Sequence, residues 1–287
     1  MNIGFAIDIN YSELLINTIN SILQHHKENI IFYIIVDCRK TILHLQLLIK
    51  QFLVGCDIKL KMMESDDIDF FQKYTRINSE LRQDIKVIHY GQILFEKYFK
   101  INKILYLEAD QIIQNNLSKM YHTNINNYGL AAVPIKNDQF TKIVINDKLI
   151  NHPECTYKEE NCFYFNAGVT LINFDFWKKN QIFNTFKKLI IENYKSKTPL
   201  YIFYTQGILN ILFYNNYKFL NEAYNMVLSD FYLDPDISKV SKATILHYNG
   251  QRIKNHRLID EDIRQLCFNI YKKYDILKVM EYTGNYE

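Results

Sequence analysis

KILYLEADQII, residues 103–113, runs an apolar strand pattern straight into two carboxylates, Glu108 and Asp110. Ile104, Leu105, Tyr106 and Leu107 carry no charged interruption, so the strand is expected to be buried on both faces and its acidic end to open onto a cleft. Two like charges one residue apart at a buried strand end repel each other. A hard divalent cation removes that repulsion, and a bound diphosphate completes its oxygen shell. The stretch therefore predicts a metal-dependent site for a phosphorylated donor. Spacing alone carries little: Asp67/Asp69, Asp234/Asp236 and Asp260/Asp262 repeat it without a long apolar strand in front, and read as turns or solvated surface.

On the N-terminal side, NIGFAI (2–7) reads as a strand, and Leu14, Leu15, Ile19, Ile22 and Leu23 then recur at helical spacing behind a cap at Asn10 or Ser12. IIFYIIV (30–36) is a second buried strand ending in Asp37, followed by a helix over 41–54 and a strand over 57–62. A helix over 87–99 precedes the acidic strand, and short and long strands are expected at 128–134 and 163–174. A helix begins near Asp175, another holds Gln206, and a last strand covers 243–248. This rhythm predicts an α/β fold with a mainly parallel central sheet flanked by helices, whose ligands gather at the carboxyl ends of the strands. Asp8, Asp37 and the Glu108/Asp110 pair all fall on that rim. Residues 136–162 are polar, irregular and too long for an ordinary connection, which predicts a mobile cover.

The chain divides into a domain at 1–256 and a helical tail at 257–287. In the tail Ile263, Leu266, Ile270, Tyr274 and Leu277 share a face, with Arg264, Lys272 and Lys273 outside it. Packing on the domain is the favoured reading of that face, ahead of acceptor access or peripheral membrane contact, because Asp260, Glu261 and Asp262 weaken attraction to anionic lipid.

Composition bounds the function. A hydrophobic content of 48% with four prolines describes an ordered globular chain, and only eight glycines, with no G-x-G-x-x-G or P-loop pattern, exclude glycine-loop phosphate binding. Thirty-four basic against 31 acidic residues give +3, too balanced for a nucleic-acid partner. Five cysteines without a C-x-x-C pair point to free thiols in a reducing compartment. With no apolar leader or membrane-length run, a cytoplasmic location is expected, the tail offering the one route to the inner face of a membrane.

Five segments occur in order: FAIDINY (5–11), ILYLEAD (104–110), FNAGVTLIN (165–173), TQGILN (205–210) and HYNG (247–250). Together they resemble the bacterial glycosyltransferases of family 8, retaining nucleotide-sugar enzymes with a GT-A fold. The resemblance covers 1–256. It implies that Ala6, Asp8 and Asn10 hold the uracil and ribose of a UDP-sugar with Tyr11 stacked on the base. Glu108, Asp110 and His247 would ligate manganese or magnesium against the diphosphate, approached by Gly250 and Lys254. Asn166 and Ala167 would line the sugar pocket, and Gln206 would lie near the reacting carbon, its amide stabilising positive charge there. The plainer readings are a capped turn for Asp8 and Asn10 and a helix-surface amide for Gln206.

Departures accompany these matches. Glu108 stands where the family usually has Asp, Gln92 where an arginine is common, Thr205 and Gly207 where acids are found, and Ile253 where a lysine is usual, with Arg252 and Lys254 displaced from it. The implied activity is transfer of a hexose from a UDP-sugar to a glycan acceptor of lipopolysaccharide, capsule or glycoprotein. The alternative is a degenerate member that serves as a nucleotide-sugar-binding or partner subunit. Oligomeric state is left open.

Overall fold

Ten strands and ten helices account for the described residues of the computed structural model, which are 1–75, 86–135, 163–197, 199–201, 203–214, 216–228, 237–248 and 261–278. The strands are β1 Asn2–Ile7, β2 Ile31–Val36, β3 Asp57–Met62, β4 Lys103–Leu107, β5 Gln111–Ile113, β6 Leu130–Ile135, β7 Tyr164–Asn173, β8 Lys218–Phe219, β9 Met226–Val227 and β10 Ile245–His247. The helices are α1 Ser12–His25, α2 Arg39–Phe52, α3 Ser65–Tyr74, α4 Gly91–Tyr98, α5 Ser118–Tyr121, α6 Phe174–Lys179, α7 Ile182–Lys195, α8 Tyr204–Phe213, α9 Ile237–Lys242 and α10 Glu261–Tyr274.

A seven-stranded sheet is ordered β3-β2-β1-β4-β7-β6-β8, and a three-stranded sheet β5-β10-β9 lies beyond the end of β4. From β3 to β4 the large sheet is parallel, as the alternation of strands and helices predicts. It becomes mixed at β7, which runs antiparallel to both β4 and β6. Pro134 has no N–H to give the ladder, and the β6/β7 register shifts between Ala132 and Pro134. β1 leads to β2 on one side, while the chain returns after β3 to lay β4 on the other. This reversal opens a crevice at the carboxyl ends of β1 and β4. Asp8 follows the first strand and Glu108 the second.

Each sheet face carries its own core. Tyr90, Phe95, Trp177, Phe186 and Phe213 pack on one face; Ile16, Ile19, Leu45, Leu105 and Leu171 pack on the other. Trp177 is fully buried and donates Nε1–H to Gly129 O at 2.9 Å, so its one polar group is satisfied. Removing such an aromatic costs about 3–5 kcal/mol.

Two expectations are corrected and a third is narrowed. The first helix is not capped by Asn10 or Ser12: Asp8 accepts from Asn10 N at 2.8 Å and caps a short 3-10 turn, Ile9–Tyr11, that feeds α1 without a side-chain cap. Asp67 is not in a turn or solvated; it lies on α3, 4% exposed, where Lys97 Nζ (2.7 Å) and Tyr98 OH (2.6 Å) donate to it. Asp37 shares the rim but its carboxylate accepts from Thr41 Oγ1 at 2.6 Å, tying down the start of α2. Asp69 and Asp262 are exposed, while Asp234, Asp236 and Asp260 lie outside the described residues, as do the 136–162 segment and the 256/257 boundary.

The tail helix α10 is core. Ile263, Cys267, Ile270, Tyr271 and Tyr274 are buried against Leu14, Ile112, Leu246 and Tyr248. Asn17 on α1 donates to Tyr271 OH at 3.1 Å and to Asp275 Oδ1 at 2.7 Å. The apolar face is thereby covered by the domain, and Lys272 and Lys273 remain on the exposed side.

Candidate active site

Glu108 and Asp110 leave β4 with opposite exposures. The Glu108 side chain is 45% exposed, whereas Asp110 is buried. Two backbone bonds fix the corner: Glu108 N donates to Gly168 O at 2.9 Å, and Tyr248 N donates to Asp110 O at 2.9 Å. The second of these holds the end of β10 over the acids, and the antiparallel β10/β5 register sets His247 opposite Gln111. His247 Nε2 then lies 2.9 Å from Glu108 Oε2 and 3.4 Å from Asp110 Oδ1. The three ligand atoms fall within 4.8 Å of one another, the one such group among the described residues.

These residues fit a divalent cation. His247 Nε2 is buried yet makes no aligned hydrogen bond. A Cβ at Gly168 would sit 2.5 Å from both Glu108 Oε2 and His247 Cε1, so glycine keeps the floor of the cradle clear. Two carboxylates with one imidazole form a mixed oxygen and nitrogen set that suits manganese, with magnesium served by the oxygens. Burial would lower the His247 pKa, but the Asp110 and Glu108 carboxylates outweigh it and push it up to about 10. Without metal a proton on the imidazole does the neutralising.

Gln206, on α8, is no loose surface amide. Its Oε1 accepts from Ala167 N at 3.0 Å and its Nε2 donates to Tyr164 OH at 3.0 Å. One turn on, Asn210 clamps both backbone groups of Phe165 at 2.9 Å. α8 is thus bolted to β7 along the 164–167 stretch. Its entry is strained: Phe203 and Tyr204 take left-handed φ of 63° and 47°, and Tyr204 stacks on His89. Thr205, in place of a family acid, donates its hydroxyl to His89 O. Gln92, in place of the family arginine, donates to Thr170 Oγ1 at 2.7 Å.

The match to the model of glycosyl transferase family 8 runs over residues 2–254. The chain belongs to that family. It is 30% identical over 242 residues to a putative glycosyltransferase of Haemophilus influenzae, covering 80% of this chain and 64% of that protein. It is 28% identical over 233 residues to a lipopolysaccharide 1,2-glucosyltransferase of Escherichia coli, covering 79% of this chain and 62% of that protein. The chain therefore spans less than two thirds of the length of these two relatives. Its fold superposes on an active-site mutant of LgtC with a TM-score of 0.69, at 20% identity, covering 96% of this chain and 95% of the other. It also superposes on the galactosyltransferase LgtC in complex with donor and acceptor sugar analogs, with a TM-score of 0.66 at 20% identity, covering 95% and 96%. Likeness at that identity is one of fold, and the fold is of the LgtC GT-A type.

Within this family 8 chain the Asp8 turn stands at the end of β1, next to β4. Its carboxylate is already engaged, by Asn10 N and by Lys86 Nζ at 2.6 Å. Asn10 is exposed and Tyr11 half-buried. Ala6 faces Gly91, where a Cβ would come within 2.5 Å of the Ala6 methyl. Asn166 and Ala167 are buried beside the cradle. Gly250 and Lys254 lie outside the described residues.

Four contributors escaped the sequence reading. Gly168 lay inside the FNAGVTLIN segment, but no acid neighbours it in the sequence, and only the fold sets it against Glu108. Gln111, which donates to Gly168 O at 2.8 Å, lay in the opening strand stretch without being singled out, while Lys86 and Asn225, whose Oδ1 lies 3.0 Å from His247 Nδ1, had no motif and emerge only from the fold.

Proposed function

We propose that this chain is a metal-dependent retaining glycosyltransferase that moves a hexose from a UDP-sugar to a glycan acceptor. The carrying observation is that two consecutive β7 residues, 167 and 168, join the metal cluster to Gln206: Gly168 O holds Glu108 N, and Ala167 N holds Gln206 Oε1. A leaving-group site and a charge-stabilising amide are thereby built on one rigid strand.

Glu108, Asp110 and His247 would hold manganese or magnesium, which supplies positive charge against the diphosphate as it leaves. Asp8, Asn10 and Tyr11 at the neighbouring strand end bind the uridine, and Lys86 neutralises Asp8 while lying close to the anionic donor. Gln206, with both ends of its amide fixed, presents a dipole to the oxocarbenium-like sugar without being a covalent nucleophile. The acceptor attacks on the face from which UDP departs. The relatives named as glycosyltransferases support this reading, and the E. coli relative favours a lipopolysaccharide acceptor. No described helix is long and apolar enough to cross a membrane.

The test is a panel of UDP-sugars with manganese, monitored for UDP release with and without lipopolysaccharide-type glycans. Acceptor-stimulated release from one donor is expected. No release from any donor, with UDP binding verified, would instead identify a nucleotide-sugar-binding subunit.

A further inference from the structure

The far side of the His247 ring is met by Asn225, and the hydrogen bonds around that amide have one consistent direction. Gly168 N–H is a backbone group that can only donate, and it meets Asn166 at 3.0 Å, so the atom it meets is the oxygen, Oδ1. The same oxygen lies 3.1 Å from Asn225, whose contacting atom must then be the donor Nδ2. The other end of the Asn225 amide is therefore an acceptor, and it stands 3.0 Å from His247 Nδ1. Amide and imidazole orientations are ordinarily ambiguous, but here a backbone N–H resolves them all. Asn166 and Asn225 are each 6% exposed and His247 0%, so bulk water does not compete for these bonds.

We infer that Asn225 is a positioning residue for the metal site. Oriented by Gly168 N–H through Asn166, it holds the proton on His247 Nδ1 and turns Nε2 toward Glu108 and Asp110. The inference rests on the proposed metal reading of that cluster. It also gives Asn166 a task other than sugar contact, since its oxygen already receives two donors. Asn225 immediately precedes β9, which pairs with β10 beside His247, while Asn166 and Gly168 belong to β7. The relay is thus a polar seam between the two sheets, and a partner that orients a ligating imidazole in this way raises its metal affinity.

The experiment titrates manganese alone into the full chain, comparing wild type with Asn225→Leu, Asn166→Leu and Asn166→Asp. Both leucine variants are expected to bind about 10- to 100-fold more weakly. Asn166→Asp keeps an acceptor for both donors and is expected to stay close to wild type. If Asn225→Leu does not fold, Asn225→Ala replaces it with the same expectation. A packing role predicts the opposite ranking: leucine, similar in size, would leave manganese affinity unmoved, and the buried aspartate would be the most damaging. That outcome overturns the inference. In parallel, nitrogen-15 spectra of labelled histidine in the metal-free protein should show a slowly exchanging His247 Nδ1–H, and Asn225→Leu should speed its exchange with solvent. Absence of that slow Nδ1–H in wild type would overturn the relay even if manganese binds. Its presence in a protein that binds no manganese would overturn the positioning role through failure of the metal reading alone.

Discussion

Asp67 and Asp110 are each 4% exposed and each belongs to an acid-x-acid pair, yet they do different things. Asp67 lies on a helix and is neutralised from within, by the Lys97 ammonium and the Tyr98 hydroxyl on α4. Asp110 lies past a strand end, and the groups gathered around it are another acid and an imidazole. Spacing and burial are the same; what neutralises the charge differs. A buried carboxylate with its own lysine is a structural tie. A buried carboxylate that shares its space with Glu108 and His247 calls for a proton or a metal ion.

The largest effect is expected at Gln206, which lies on the Asp110 side through Ala167. Gln206→Ala should lower turnover by about 10²–10³-fold, the range for removing a group aimed at developing charge, and leave UDP affinity nearly unchanged. Steady-state kinetics with parallel UDP calorimetry check this, and a collapse of UDP affinity would move Gln206 into the nucleotide site or the fold. Next comes Gly168→Ala, whose methyl would press on Glu108 Oε2 and His247 Cε1 at 2.5 Å. Manganese affinity should fall by at least about 10-fold while the melting temperature changes little. An unchanged manganese isotherm would mean the cradle is not where the cation binds.

Proton competition gives a third effect. Metal needs the neutral imidazole, and His247 in the metal-free site is held protonated up to about 10. Manganese binding should therefore release a proton and tighten by about tenfold per pH unit as pH rises from 6 to 9. The same raised pKa stabilises the metal-free fold below the unfolded histidine range, and that contribution fades as pH climbs through 10. A pH-independent manganese affinity would remove His247 from the ligand set. The smallest effect belongs to Asp67→Asn, which should cost about 1–3 kcal/mol of stability in denaturant titration through its bonds to Lys97 and Tyr98. It should leave manganese binding untouched. Loss of metal response in this variant would erase the distinction between the two aspartates.

Much of this was legible in the sequence because the informative residues sit at strand ends. An uninterrupted apolar run marks a buried strand, and the acids after it fall on the rim of a parallel sheet. So β1, β2, β4 and the Glu108/Asp110 corner could be read directly, and His247 and Gln206 came from motif order. Asp67 was misread because the helix Ser65–Tyr74 hides its buried face among exposed acids, and its partners lie 30 residues downstream. The antiparallel turn of β7 was not legible either, since a fully buried strand reads as apolar in either direction. Asn225 lay furthest out of reach, for an asparagine before a two-residue strand carries no periodicity, and only the packing of one sheet against another gives it His247.

The most direct measurement is calorimetric UDP binding in manganese and in chelator, on wild type, Asp110→Asn and Asp67→Asn. UDP should bind more tightly with manganese to wild type and to Asp67→Asn, and with equal affinity in both conditions to Asp110→Asn, all three remaining folded. Equal UDP affinity in manganese and in chelator for the wild-type chain would contradict the account.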